Sequence, residues 1–336
     1  MEKVGVVGAS GYSGAVFTAL ALHHPDLELR FATSDKRVGE AISIDCKMQY
    51  SAHEAAFDLA REVDVVVLAT SAEHAAKLAP RIAEHARVVD MSGAFRLEAS
   101  AYPKWYGFDH PHAGALERAF YGLPELFGSA PDGTRVVSNP GCYATAALLA
   151  IAPLLRDGLA SSDRVIVDGK SGISGAGRRA DESHSFVELA EDSRAYKIGS
   201  HQHTPEIARH AQRFSKREAR VTFTPHLVPV RRGLLVTAYL EAKPGATNES
   251  VHASLASAYE GATFVKVMPA NEVSMHAVAG TPHALVSATI ADGVIVSLCA
   301  IDNLLKGAAS QAMQNVNRLL GKKEDAGLER LIRFAP

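Results

Sequence analysis

Along the first half of the chain, short runs of β-branched and apolar residues alternate with helix-length stretches. Val4–Val7, Leu27–Phe31, Val63–Leu68 and Val88–Val89 read as strands, and Gly14–Leu22 and Ala72–Glu84 as helices. This order predicts a parallel, doubly wound sheet. Asp64-Val-Val-Val-Leu68 runs without a polar break after its first residue, as expected of a strand buried on both faces, and so belongs at the sheet centre. Between Phe95 and Pro131 the periodicity gives way to Pro, Gly and aromatic residues, as in Tyr102-Pro-Lys-Trp-Tyr-Gly107, which predicts irregular connecting structure. Val136-Val137 then reads as the last strand of this sheet.

Beyond it the pattern changes. The strand-like runs Arg164–Asp168, Ala219–Phe223, Gly233–Leu240 and Val294–Ala300 mix with the helical stretches Thr204–Phe214 and Glu249–Tyr259, and several runs succeed one another without a helix. That predicts an α+β unit on a mixed or antiparallel sheet. Leu304, Leu305, Ala308, Ala312, Met313, Val316 and Leu319 keep helical spacing, predicting one helix from Leu304 to about Leu320. The expected division is residues 1–141 together with the C-terminal part from about 304 to 336 as one domain, and residues 142–303 as the other.

Composition narrows the field of functions. With 336 residues, 15 histidines and a formal charge of −2, the chain exerts no global pull on nucleic acid or an anionic membrane, so any anionic ligand needs a local site. Cys46, Cys142 and Cys299 are widely separated and lack Cys-x-x-Cys spacing, which argues against a disulfide framework or a zinc knuckle and for a reducing cytoplasm. Val4–Val7 is too short to span a bilayer and leads into glycines rather than a cleavage pattern.

Chemistry concentrates at a few places. Gly8-Ala-Ser10-Gly11-Tyr12-Ser13-Gly14 follows the first strand and opens a helix, the setting in which glycines let backbone approach a pyrophosphate; this makes the first domain Rossmann-type. At the end of the second strand, Ser34 followed by Lys36 and Arg37 favours the 2′-phosphate of NADP, with Asp35 close to the acidic position that suits NAD. Asn139-Pro-Gly-Cys142 puts a cysteine at a strand-to-helix turn, where unpaired N–H groups and the helix dipole lower a thiol pKa. A glycine-rich run, Lys170-Ser-Gly-Ile-Ser174-Gly175-Ala-Gly-Arg178, follows another strand. His201 and His203 precede a helix beginning near Pro205, where an imidazole can act as acid or base; no third ligand completes a metal site, so none is expected.

Taken together, Gly8–Gly14, Tyr121-Gly-Leu-Pro-Glu-Leu126, Asn139–Thr145, Lys170–Arg178, His201–Ile207, Pro225-His-Leu-Val-Pro229 with Arg232-Gly233, and Asp302–Ala309 resemble the N-acetyl-γ-glutamyl-phosphate reductases of arginine biosynthesis, relatives of the aspartate-semialdehyde dehydrogenases. The resemblance runs from Gly8 to about Asn317. It implies NADPH-dependent reduction of an acyl phosphate through a cysteine thioester, with Cys142 as nucleophile and His203, or its neighbour His201, as acid or base. It further implies Arg96 for the substrate phosphate, Asn139 in substrate binding, Ser174, Gly175 and Asn303 near the nicotinamide, and a homodimer or homotetramer. Two stretches depart from the family pattern, Ala69–His74 and Gly280–Leu285. Other readings of the same features are a relative acting on an aspartyl or aminoadipyl phosphate, and a dinucleotide-binding regulator without turnover.

Overall fold

The computed structural model describes residues 1–44, 46–178 and 186–329 and divides into two compact units. The expected C-terminal segment beyond residue 329 lies outside the described residues. Among the described residues, one unit holds those within 1–124, 128–140 and 308–329; the other holds those within 125–127 and 141–307.

In the first unit, β1 (Glu2–Val7), β2 (Leu27–Thr33), β5 (Val65–Leu68), β6 (Arg87–Asp90), β7 (Phe120–Tyr121) and β8 (Val136–Ser138) form a sheet of order β2-β1-β5-β6-β8-β7, all parallel. A small antiparallel ribbon, β3 (Ala41–Ser43) and β4 (Cys46–Gln49), lies outside it. As its unbroken apolar run requires, β5 sits between β1 and β6 with all four residues buried. The Ala72–Ile82 helix turns Ala75, Ala76, Ala79 and Ile82 into the core with Val66, Leu68 and Val88. The stretch read as irregular contains the short helices Tyr102–Tyr106, Ala113–Arg118 and Pro124–Phe127 besides β7. Each is one turn or two, too short for periodicity to emerge.

The second unit is built on β9 (Ala160–Gly172), β10 (Arg194–Ala195), β11 (Val221–Val228), β12 (Leu234–Ala242), β13 (Val265–Val267), β14 (Ala284–Ala291) and β15 (Val294–Ile301), in the order β10-β11-β9-β12-β15-β14-β13. It is mixed: β11 runs parallel to β9, whereas β12 is antiparallel to both β9 and β15. The Cys142–Arg156 helix packs on it with Tyr143 to Leu155 all buried. Ser297 Oγ donates to the Ala150 carbonyl at 2.8 Å, tying sheet to helix.

The predicted helix from Leu304 is not continuous. Leu305–Ala309 form one turn of π-helix, and the α-helix runs only over Ser310–Leu319. The cause is Asp302: its Oδ1 accepts the N–H groups of Leu304 and Leu305 at 2.8 and 3.0 Å, and its backbone carbonyl accepts that of Gly307, five residues on, at 2.9 Å. The wide turn is imposed by side-chain capping that apolar spacing does not register.

Candidate active site

Cys142 is the first residue of its helix. Gly141 caps it in an extended conformation (φ −74°, ψ 154°) without a side-chain cap, leaving the helix dipole directed at the cysteine. The Gly141 N–H donates to Glu206 Oε1 at 2.9 Å. Glu206, fully buried, lies in the first turn of the His203–Ser215 helix, and its Oε2 stands 3.8 Å from His203 Nε2. One carboxylate therefore serves both the cap of the cysteine helix and an imidazole.

The paired histidines differ in kind. The His203 N–H donates to His201 Nδ1 at 3.1 Å, so a neutral His201 carries its proton on Nε2. Burial, reinforced by the charges of His203 and Lys197, pushes the His201 pKa down to about 2. The rings lie 4.7 Å apart, edge to face, with Tyr143 against both at 5.8 and 6.0 Å. Tyr143 donates its hydroxyl to the His226 carbonyl at 3.0 Å, and Gly169 makes room for the ring, since a Cβ there would sit 2.5 Å from it. Tyr196, whose ring is 5.6 Å from that of His201, has its pKa pushed up to about 12, first by burial and also by the charge of Cys142.

The glycine-rich run reaches the same unit's Asp302–Gly307 corner. Asn303 Nδ2 donates to Ser174 Oγ at 2.9 Å, while Asn303 Oδ1 accepts the Gly233 N–H at 2.9 Å. Gly175 abuts Ser171, whose Oγ would lie 2.8 Å from a Cβ. Arg232 Nη2 donates to the buried Asp302 Oδ1 at 3.1 Å. Ser174, Gly175 and Asn303, which the resemblance names together, lie in one cluster.

In the first unit, Gly8 (φ +84°) and Ala9 both donate to the Thr33 carbonyl, at 3.2 and 2.9 Å. A Cβ on Gly8 would meet the Ala69 carbonyl oxygen at 2.6 Å, and one on Gly14 the Gly8 oxygen at 2.3 Å. Gly11 is clear of neighbours to 3.6 Å, while Tyr12 is 36% exposed. Ser10 Oγ lies 2.6 Å from Ser34 Oγ, joining the glycine turn to the end of β2, and Ser13 stands in the first turn of the Tyr12–Leu22 helix. Lys36 is exposed, and Arg37 makes an exposed contact to Glu40 at 3.3 Å. Asp35 Oδ1 is taken by the His53 N–H at 2.8 Å.

Also in the first unit, Arg96 is 6% exposed and donates to the carbonyls of Asn139 and Met91, both at 2.9 Å. Asn139 is wholly buried: its Oδ1 accepts from Asn315 at 2.9 Å and its Nδ2 donates to the Ala308 carbonyl at 3.3 Å. That amide is occupied in holding the Ser138–Pro140 turn. No group of His, Cys, Asp and Glu with metal-binding geometry occurs among the described residues.

Sequence reasoning left Glu206, Asp302 and Gly307 without roles. Glu206 carries a usable signal, an acid three residues after a histidine at a helix start, hence on the same face. The other two become informative only through backbone hydrogen bonds and close approach.

The two units define a class. Residues 3–133 match the NAD binding domain of semialdehyde dehydrogenases, and residues 142–303 match the semialdehyde dehydrogenase dimerisation domain. The aspartate semialdehyde dehydrogenase II of Vibrio cholerae, solved as a complex with ASA, has the same fold, with a TM-score of 0.73 at 19% identity over 96% of this chain and 98% of that one. Within this class the chain belongs to the N-acetyl-γ-glutamyl-phosphate reductase family. It is 39% identical to the enzyme of that name from Desulforudis audaxviator, over 98% of both chains. It is 36% identical to the one from Campylobacter jejuni subsp. doylei, over 97% of this chain and 98% of that one.

Proposed function

We propose that this chain reduces N-acetyl-γ-glutamyl phosphate to N-acetylglutamate 5-semialdehyde and phosphate, using NADPH and a thioester on Cys142. The observation that carries the reading is Glu206, whose carboxylate joins the cap of the Cys142 helix to His203. At the helix N-terminus the Cys142 thiolate attacks the acyl carbon; the carbon–oxygen bond to phosphate breaks and phosphate leaves with its electron pair. When bound, NADPH would supply the hydride for reduction of the Cys142 thioester to a hemithioacetal. His203 gives the proton to the carbonyl oxygen as this intermediate forms and removes it as the carbon–sulfur bond breaks, returning the thiolate. His201 is unsuited to that task, because a pKa near 2 keeps it neutral and its Nδ1 is occupied by the His203 N–H. It serves instead to fix His203.

The first unit fits the cofactor. Glycines stand at Gly8, Gly11 and Gly14, and the helix behind them has no acidic residue in its first turn to repel a pyrophosphate. Ser10, Tyr12, Ser13 and Ser34 are assigned to that approach, with Ser10 Oγ 2.6 Å from Ser34 Oγ. With Asp35 drawn to His53, Ser34, Lys36 and Arg37 are left to meet a 2′-phosphate, which favours NADP. Ser174, Gly175 and Asn303 are assigned to the nicotinamide end, and Arg96 to the phosphate of the substrate. The fully engaged Asn139 supports Arg96 through its carbonyl rather than touching substrate.

The matched dimerisation domain fits a homo-oligomer, a dimer or tetramer. Ile166 and Tyr239, directly paired across β9 and β12, are 40% and 37% exposed on the sheet, an apolar pair for a second copy to cover. No helix among the described residues is long and apolar enough to cross a membrane, and the free thiols suit the cytoplasm. The test is turnover in reverse: N-acetylglutamate semialdehyde, phosphate and NADP⁺ should generate NADPH. Aspartate semialdehyde serving better in the same assay would overturn the substrate assignment.

A further inference from the structure

Gly307 touches the cysteine. A Cβ built on it would lie 2.7 Å from Cys142 Cβ, closer than side chains pack, and 3.3 Å from both Cys142 Cα and the Asp302 carbonyl oxygen, which is tight. Its φ is not in the left-handed region, so alanine would be tolerated by the backbone and opposed by Cys142 itself. The close approach follows from the π-turn, because the Gly307 N–H reaches back five residues to the Asp302 carbonyl. Such single π-turns recur at functional sites.

The turn is braced at two places ahead of Gly307. At its start, the buried Asp302 carboxylate accepts from Leu304, Leu305 and Arg232 on Oδ1 and from Gly280 on Oδ2, the last at 2.8 Å. Immediately before Gly307, Lys306 is buried to 1% side-chain exposure and pairs with Glu125, at 3%, over 2.6 Å. A buried ion pair of this kind resists displacement, because moving one partner strands the other charge. Opposite Gly307, the helix cap is held by Glu206.

We infer that Gly307 is a positioning residue for the nucleophile: the braced π-turn presses its bare Cα against Cys142 and fixes where the sulfur stands. This rests on the reading of Cys142 as nucleophile. It assigns Asp302 and Lys306 as the braces of that contact.

The experiment compares Gly307→Ala with the wild-type enzyme in four readouts: kcat, KM for NADPH, thermal midpoint, and the pH dependence of Cys142 alkylation by iodoacetamide. The expected result is a kcat lower by about 100-fold, the order that an ångström of misplacement costs, with KM for NADPH within about twofold as for a group outside cofactor binding. The midpoint of the alkylation profile should move upward as the sulfur leaves the helix axis. Wild-type kcat with an unchanged alkylation profile would overturn the inference. Should Gly307→Ala fail to fold, the double variant Cys142→Gly, Gly307→Ala should fold, since the opposing Cβ is gone; failure in both backgrounds would also overturn it. Cys142→Ser is assayed alongside. Retained turnover in that variant would refute the nucleophile, whereas the alkylation profile of Gly307→Ala reports the contact regardless.

Discussion

Glu206 accepts the N–H of Gly141 at 2.9 Å across 65 residues of sequence, and its other oxygen faces His203. A residue that caps one helix and pairs with a side chain on another can be dissected by charge and shape. Glu206→Ala leaves the Gly141 N–H unpaired in a buried setting, a loss of about 1–3 kcal/mol in stability. It also removes the counter-charge of His203, for a fall in kcat of about 100-fold or more. Glu206→Gln keeps an acceptor for Gly141 and should recover most of the stability while kcat stays low. Urea denaturation with steady-state kinetics separates the two; recovery of both by glutamine would make the role purely one of capping.

Burial of His201 as a neutral ring gives stability a defined pH dependence. Its pKa falls from 6.5 to about 2 on folding, first through desolvation. Below pH 6.5 the unfolded chain takes up a proton that the folded one refuses, so stability present above 6.5 is lost as pH falls, by about 1.4 kcal/mol per unit. Between pH 6.5 and 5 this residue should account for a loss of about 2 kcal/mol. His201→Gln should flatten the slope by that amount. An unchanged slope would place the titration elsewhere.

Lys36 and Arg37 should decide between the two nicotinamide cofactors. The Arg37 side chain makes an exposed contact to Glu40, which is weak and easily exchanged for a phosphate. Replacing both by alanine should raise KM for NADPH by about 10- to 100-fold, the worth of charge-assisted hydrogen bonds. KM for NADH should change little. Equal effects on both cofactors would show that these cations do not meet the 2′-phosphate.

The sheets were legible in the sequence wherever burial writes itself into side-chain type. The apolar run of β5 announced a central strand, and the Pro-Gly before Cys142 announced a strand-to-helix turn. β14 (Ala284–Ala291) was not anticipated, because its alternation of small and β-branched residues with Ser287 is weaker than that of β15 beside it. The break at Leu305–Ala309 was hidden because Asp302 controls it through hydrogen bonds, while the apolar spacing continues unbroken from Leu304 to Leu319. Of the site, motifs supplied the cysteine, the histidine pair and the glycine turn. The asymmetry between His201 and His203 is not written in the sequence, since it lies in one backbone N–H and in the surroundings of the two rings.

The covalent intermediate can be trapped, because mass spectrometry of the enzyme mixed with acyl phosphate in the absence of NADPH reads it out on the protein itself. The thioester route predicts a burst of about one phosphate per active site, followed by near arrest, with the N-acetylglutamyl mass on the peptide that carries Cys142. Adding NADPH should discharge that adduct as semialdehyde. Absence of any Cys142 adduct, even with a non-reducible NADPH analogue bound, would contradict the thioester route.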